Sequence, residues 1–273
     1  MSPRAHNGWT VHESGPADAE HATLLLPGGL CTAAFYDDVL ADPRLTEAPV
    51  RFAATTVPGF GGTTPLADPR FESYCAAAAE LATDLGCDVV VGHSMGANLA
   101  IEMLGARQFN GPAVLLSPSF SHEDEFKALD VLNGLGRVPG LGRLGWWAIL
   151  KMMPRMMKKE LPAGRGDALV AEMQRNDPRV CRALVRDYLE YLDRHGSLVS
   201  RLCDSGVRAW AAFGDGKGEV GLTDEERRGL ESCTSVELVT IRGSGHMALN
   251  DNPGIVAGLI LDAVKRRSCC FRG

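Results

Sequence analysis

The chain has 273 residues, 45% of them hydrophobic and 23% charged, and a net charge of −6. That length can bury the core of one large α/β domain, with or without an insertion, and the acidic balance speaks against nucleic acid as a partner, because phosphate binding calls for a basic patch. No apolar run approaches the roughly 18 residues of a membrane span, and no repeat or low-complexity tract occurs.

The opening "MSPRAHNGWTVHESG" lacks the apolar core of a signal peptide. "ATLLLP" (22–27) and "RFAATTV" (51–57) have the length and apolarity of buried strands. "SYCAAAAELATDLG" follows as a good helix former with an apolar face, then the strand-like "DVVVG" (88–92), the helical "ANLAIEMLGAR" and the strand-like "AVLLS" (113–117). From 119 to 204 the rhythm stops: no strand is expected, and the segment reads as a helical insertion, or cap, between two core strands. "RAWAAF" (208–213) and "VELVTI" (236–241) resume the strands, and "NPGIVAGLILDAVKRR" closes the chain as a helix with basic residues in its last turn. Alternating strands and helices predict a mostly parallel sheet flanked by helices, with sites at the carboxyl ends of its strands. The core is then 1–118 with 205–273, and the cap 119–204. Eight cysteines form no C-x-x-C pair, so no metal site or redox motif is indicated, and reduced thiols in the cytoplasm are expected. The terminal "CCFRG" fits a prenylation signal poorly and reads as a basic tail.

Chemistry concentrates in "DVVVGHSMGANLA". A G-x-S-x-G sequence between a strand and a helix forces the serine into a strained turn that raises its hydroxyl at the strand end, and Gly92 and Gly96 keep strand and helix from clashing. Ser94 is the candidate nucleophile, and the Met95 N–H at the helix start points toward any oxyanion that forms. A serine hydroxyl needs a base; His246, in "IRGSGHMALNDNP" after the last strand, is the candidate. His93, inside the same turn, is expected to point away from Ser94 and to serve packing. The base needs a carboxylate to hold its tautomer, and the loop after "RAWAAF" offers Asp215 directly after the strand, the first choice, and Glu219 as the alternative.

Together these residues resemble the α/β-hydrolase superfamily over nearly the whole chain, in the family's order of serine, acid and histidine. The resemblance implies that "LLLPGGLCTAAFYDDVL" (24–40) supplies the other oxyanion donor, the N–H of Gly29 or Leu30, and that "TVPGFGGTTP" (56–65) is the P-G-x-G loop after the next strand. Two positions depart from the family pattern. Pro27-Gly28 stands where H-G is usual, and a G-x-x-D count from Gly214 reaches Lys217, whereas a count from Gly216 reaches Glu219. The expected activity is cofactor-free hydrolysis of ester-type bonds in a lipophilic small molecule. "GWWAILKMMPRMMKKEL" in the cap brings Trp146, Trp147, Met152, Met153, Met156 and Met157 as adaptable apolar surface. Core packing, substrate lining and contact with a membrane surface are its three possible uses. The same fold hosts thioesterases and C–C bond hydrolases, and a ligand-binding protein without a competent acid is the non-enzymatic alternative.

Overall fold

The structure, a computed structural model, describes residues 4–125, 147–148, 151–152, 164–216, 218–219 and 221–270. Asn7 and Gly8 take positive φ, 46° and 89°, the backbone of a two-residue hairpin turn that Asn-Gly favours. They join β1 (Arg4–His6) to β2 (Trp9–Ser14). This hairpin lies outside the six strands expected from sequence. Its signal is the Asn-Gly pair beside the alternation of buried Trp9 and Val11 with more exposed Thr10 and His12, the mark of a strand buried on one face only.

β2 pairs antiparallel with β4 (Val50–Thr56). β3 (His21–Leu26), β4, β5 (Val89–His93), β6 (Ala113–Leu116), β7 (Ala209–Gly214) and β8 (Val236–Ile241) form a parallel run, and the whole eight-stranded sheet has the order β1-β2-β4-β3-β5-β6-β7-β8. Successive side chains of a strand face opposite sides, and the sheet sorts its apolar residues accordingly. Leu24, Leu26, Val90, Leu115 and Ala211 join one core with α1 (Phe71–Asp84) and α2 (Met95–Gly105). Leu25, Val91, Val114, Leu116 and Trp210 join a second core under the C-terminal helix. Burial on both faces is why these strands read as continuous apolar runs.

Between β6 and β7 the described residues hold α3 (Gly166–Met173), α4 (Pro178–His195) and α5 (Val199–Cys203), and no strand. Asp177 caps α4 by accepting from the Arg179 and Val180 amides, with Pro178 in the first turn, where its missing N–H costs nothing. Glu102 of α2, only 5% exposed, accepts from Arg201 at 2.5 and 2.6 Å and from the Tyr191 hydroxyl at 2.7 Å. A buried carboxylate demands such partners, and these tie α4 and α5 to the helix that follows Ser94. α6 (Asp224–Ser232) precedes β8, and α7 (Pro253–Cys270) ends the described chain.

β3 sits between β4 and β5, so the chain moves to one side of β3 and then to the other. Such a reversal opens a crevice at the carboxyl ends of the two strands, here beside Ser94. Strand and helix meet there without space for a side chain: a methyl on Gly96 would fall on the Leu26 and Pro27 carbonyls, and one on Gly92 on the backbone of Gly96 and Ala97. Gly96→Ala should therefore lower the urea midpoint by the equivalent of about 1–3 kcal/mol, the usual cost of overpacking. A wild-type midpoint would show that the strand and helix can separate freely.

Candidate active site

Ser94 takes φ 51° and ψ −124°, a left-handed backbone that costs a residue with a Cβ about 1–3 kcal/mol. The surroundings hold it there. Its N–H donates to the Leu116 carbonyl at the end of β6 (2.8 Å), and its own carbonyl accepts from Ala97 (2.8 Å) and Asn98 (3.1 Å) in the first turn of α2.

The loop after β3 passes directly beside this serine. A Cβ built on Gly28 would stand 3.3 Å from the Ser94 Cβ, and one on Gly29 would stand 3.7 Å from the Met95 Sδ. Leu30 holds φ 67°, and the Cys31 N–H closes the turn on the Gly28 carbonyl at 3.1 Å. Among the described residues the N–H groups of Gly29, Leu30 and Met95 have no other acceptor. The donors expected from sequence therefore share one neighbourhood with the serine.

His246 lies in the loop between β8 and α7, and the acid beside it is Glu219: Glu219 Oε1 is 3.6 Å from His246 Nδ1, with both side chains largely buried. Glu219 Oε2 accepts from the Gly214 amide (2.6 Å) and from the Ser117 hydroxyl (3.0 Å), which aims the other oxygen at the imidazole. Burial pushes the Glu219 carboxyl up, but the His246 ring, the Gly214 amide and the Ser117 hydroxyl outweigh it, so its pKa lies below the ordinary value. It is a carboxylate at neutral pH.

The first choice from sequence, Asp215, is placed elsewhere. It is exposed, and its Oδ1 accepts from the Gly243 amide at 2.6 Å. The physical reason is the path of the loop. The Gly216 N–H is held by the Ser244 carbonyl (2.8 Å) and Asp215 by the Gly243 amide (2.6 Å), whereas the Gly214 amide and the Ser117 hydroxyl hold Glu219 at the imidazole. Lys217 lies outside the described residues.

Two further residues belong to this site. Ser117, at φ 47° just past β6, holds the acid; its only sequence signal is its place at the carboxyl end of a parallel strand. His93, expected to point away from Ser94 and to serve packing, is 1% exposed and touches the loop that carries His246. Its Nε2–H donates to the His246 carbonyl at 2.8 Å, and the two rings lie 5.0 Å apart at 51°. A carbonyl only accepts, so Nε2 carries the proton. Burial, with the adjacent His246 adding to it, pushes His93 down to about 3.

A histidine that titrates near 6.5 when unfolded and near 3 when folded makes the folded state bind fewer protons between those values. Its effect on stability is absent above about pH 6.5, and below it destabilises by up to about 1.4 kcal/mol per pH unit until about pH 3. His93→Gln should flatten the acid side of the stability profile, read as urea midpoints from pH 7 to pH 4. A variant that loses stability as steeply as wild type would exclude His93 as the cause.

Among the described residues no group of three or more His, Cys, Asp or Glu side chains is arranged to hold a metal ion, and no helix is long and apolar enough to cross a membrane. Trp147 and Met152 are 52% and 56% exposed; Trp146, Met153, Met156 and Met157 lie outside the described residues.

Residues 23–259 match the sequence model of the alpha/beta hydrolase family. No curated protein matches the chain. Among solved structures, an esterase from Thermogutta terrifontis, with malate bound, superposes with a TM-score of 0.72 at 16% identity, covering 95% of this chain and 93% of its own. An esterase from Exiguobacterium antarcticum gives 0.71 at 16%, covering 94% and 95%. The thioesterase domain of the curacin biosynthetic pathway gives 0.67 at 17%, covering 96% and 98%. At these identities the likeness is one of fold.

Proposed function

The chain belongs to the alpha/beta hydrolase family, and from that premise we propose that it is a serine-dependent hydrolase of ester-type bonds in a lipophilic small molecule. One observation carries this reading: the strained Ser94 directly follows His93 of β5, whose ring donates to the His246 carbonyl at 2.8 Å, and the His246 Nδ1 lies 3.6 Å from a fixed carboxylate, Glu219. Ser94 attacks the substrate carbonyl while His246 takes its proton, and Glu219 orients the imidazole and stabilises its charged form. The N–H of Met95, with that of Gly29 or Leu30, receives the oxyanion. His246 then returns the proton to the leaving alcohol, and water releases the acyl group from Ser94 through the same base.

Residues 119–204 act as a cap over this crevice in our reading. Trp147 and Met152 leave apolar surface open to a ligand, and methionine adapts to irregular acyl chains. Six described cysteines carry free thiols, which supports work in a reducing, cytoplasmic setting. The carboxylate of Glu219 beside His246 supports this reading over that of a ligand-binding protein without a competent acid.

A tagged fluorophosphonate and a series of p-nitrophenyl esters from acetate to laurate test the proposal. The expected result is covalent labelling of the wild type and release of p-nitrophenol, with kcat/KM rising along the acyl series. A folded protein that takes no label and cleaves none of the esters overturns the hydrolase reading; cleavage that falls with chain length overturns the lipophilic substrate alone.

A further inference from the structure

We propose that Asn176, in the turn between α3 and α4, is a positioning residue that holds the loop after β3 in its oxyanion-binding conformation. The inference rests on the serine-hydrolase reading above and adds a residue to it that no motif marks.

Asn176 is 7% exposed and its amide is engaged at both ends. Nδ2 donates to the Leu30 carbonyl at 2.8 Å and to the Met173 carbonyl at 2.8 Å. Oδ1 accepts from the Gly61 N–H at 2.9 Å. The network leaves no choice of amide orientation, since the reverse would set an oxygen against two carbonyls and an NH₂ against an N–H.

The two core residues it grips are unusual. Leu30 has φ 67° and Gly61 φ 58°. For glycine this is free, whereas a leucine in the left-handed region is strained and persists only when its surroundings over-determine it. Leu30 needs an external hold, and Asn176 supplies one at its carbonyl. At the other end of the turn, the Cys31 amide bonds the Gly28 carbonyl, and Gly28 stands against Ser94. With both ends anchored, the peptide units that carry the Gly29 and Leu30 N–H groups cannot rotate away. Oxyanion stabilisation depends on donors set before the charge develops, so Asn176 acts on the transition state without touching substrate. It also makes the helical insertion a structural part of the oxyanion site, because the side chain doing this comes from between α3 and α4.

Asn176→Asp and Asn176→Ala test the inference. The aspartate keeps the acceptor for Gly61 and loses both donors, which separates the hold on Leu30 from the hold on Gly61. Three quantities are read: kcat and KM on a short p-nitrophenyl ester, the affinity of an alkylboronic acid that forms a tetrahedral adduct, and amide hydrogen exchange in residues 28–31. Both variants should lose on the order of 10-fold to 100-fold in kcat, less than the 10²–10³ expected for an oxyanion donor removed outright. KM should stay near wild type, boronate affinity should fall in parallel with kcat, and exchange at 28–31 should rise. A folded variant with wild-type kcat, or one that is merely less stable, overturns the proposal, as does unchanged exchange at 28–31. Should the wild type itself neither label nor turn over, the hydrolase reading fails by itself. Exchange alone then decides the mechanical part: a rise at 28–31 supports Asn176 as the anchor of the loop, and no rise overturns it.

Discussion

Glu219→Gln should slow ester hydrolysis by about 10³–10⁴-fold, the scale seen when a triad carboxylate becomes an amide, while Asp215→Asn leaves the rate unchanged. The glutamine occupies the same volume, so the comparison isolates charge. In wild type, Gly214 and Ser117 hold one carboxylate oxygen and leave the other 3.6 Å from His246 Nδ1. An amide in that place can present an NH₂ to the imidazole and favour the wrong tautomer. Asp215 only caps the Gly243 amide at an exposed turn, so its removal touches neither partner of the pair. Steady-state rates on one ester settle the matter: a large loss in Asp215→Asn with little in Glu219→Gln would reverse the assignment. Stability gives a second signature. The Glu219 pKa is lowered in the folded state, so its contribution is complete above the ordinary carboxylate range near 4.3 and disappears as pH falls through its own lower value. The stability gap between wild type and Glu219→Gln should thus be flat across neutral pH and close only in acid.

Ser94→Ala should cost about 10⁶ in kcat, the scale of losing a serine nucleophile, and abolish fluorophosphonate labelling without weakening the fold. Ser94→Gly should be equally inactive and yet more stable than wild type, by about 1 kcal/mol or somewhat more. The reason is the backbone. At φ 51° alanine bears the same steric cost as serine, whereas glycine bears none, and relief of strain exceeds the entropy that glycine loses on folding. Urea midpoints of the three proteins measure this. A Ser94→Gly variant less stable than wild type would mean that the turn stores no strain; residual labelling of either variant would place the nucleophile elsewhere.

How far the site was legible varies residue by residue. Ser94 is announced by its glycines, because G-x-S-x-G is a local demand: a strand must turn into a helix within a few residues, and only small neighbours permit it. His246 is nearly as legible, since a glycine-flanked loop between the last strand and the last helix leaves few places for it. The acid was not. Asp215 and Glu219 sit in one glycine-rich loop, and the choice between them depends on where the loop is pinned, by Gly216 on Ser244 and by Ser117 on Glu219. The second pin joins residues 102 positions apart, and no local pattern encodes either. His93 is buried, as its expected packing role requires, but that its ring holds the His246 carbonyl was not legible, because sequence does not place that backbone beside it.

By itself the sequence determined what depends on near neighbours along the chain: the six parallel strands, the serine turn, the family pattern and the helices of the described residues between β6 and β7. Periodicity and turn chemistry are short-range, so they survive without knowledge of the fold. Only the tertiary structure decided which carboxylate meets His246, what Ser117 and His93 hold, and that Asn176 reaches Leu30 across 146 positions. Each of these is a polar contact between separate segments, fixed by how the chain packs around the sheet rather than by any property of the residues beside it.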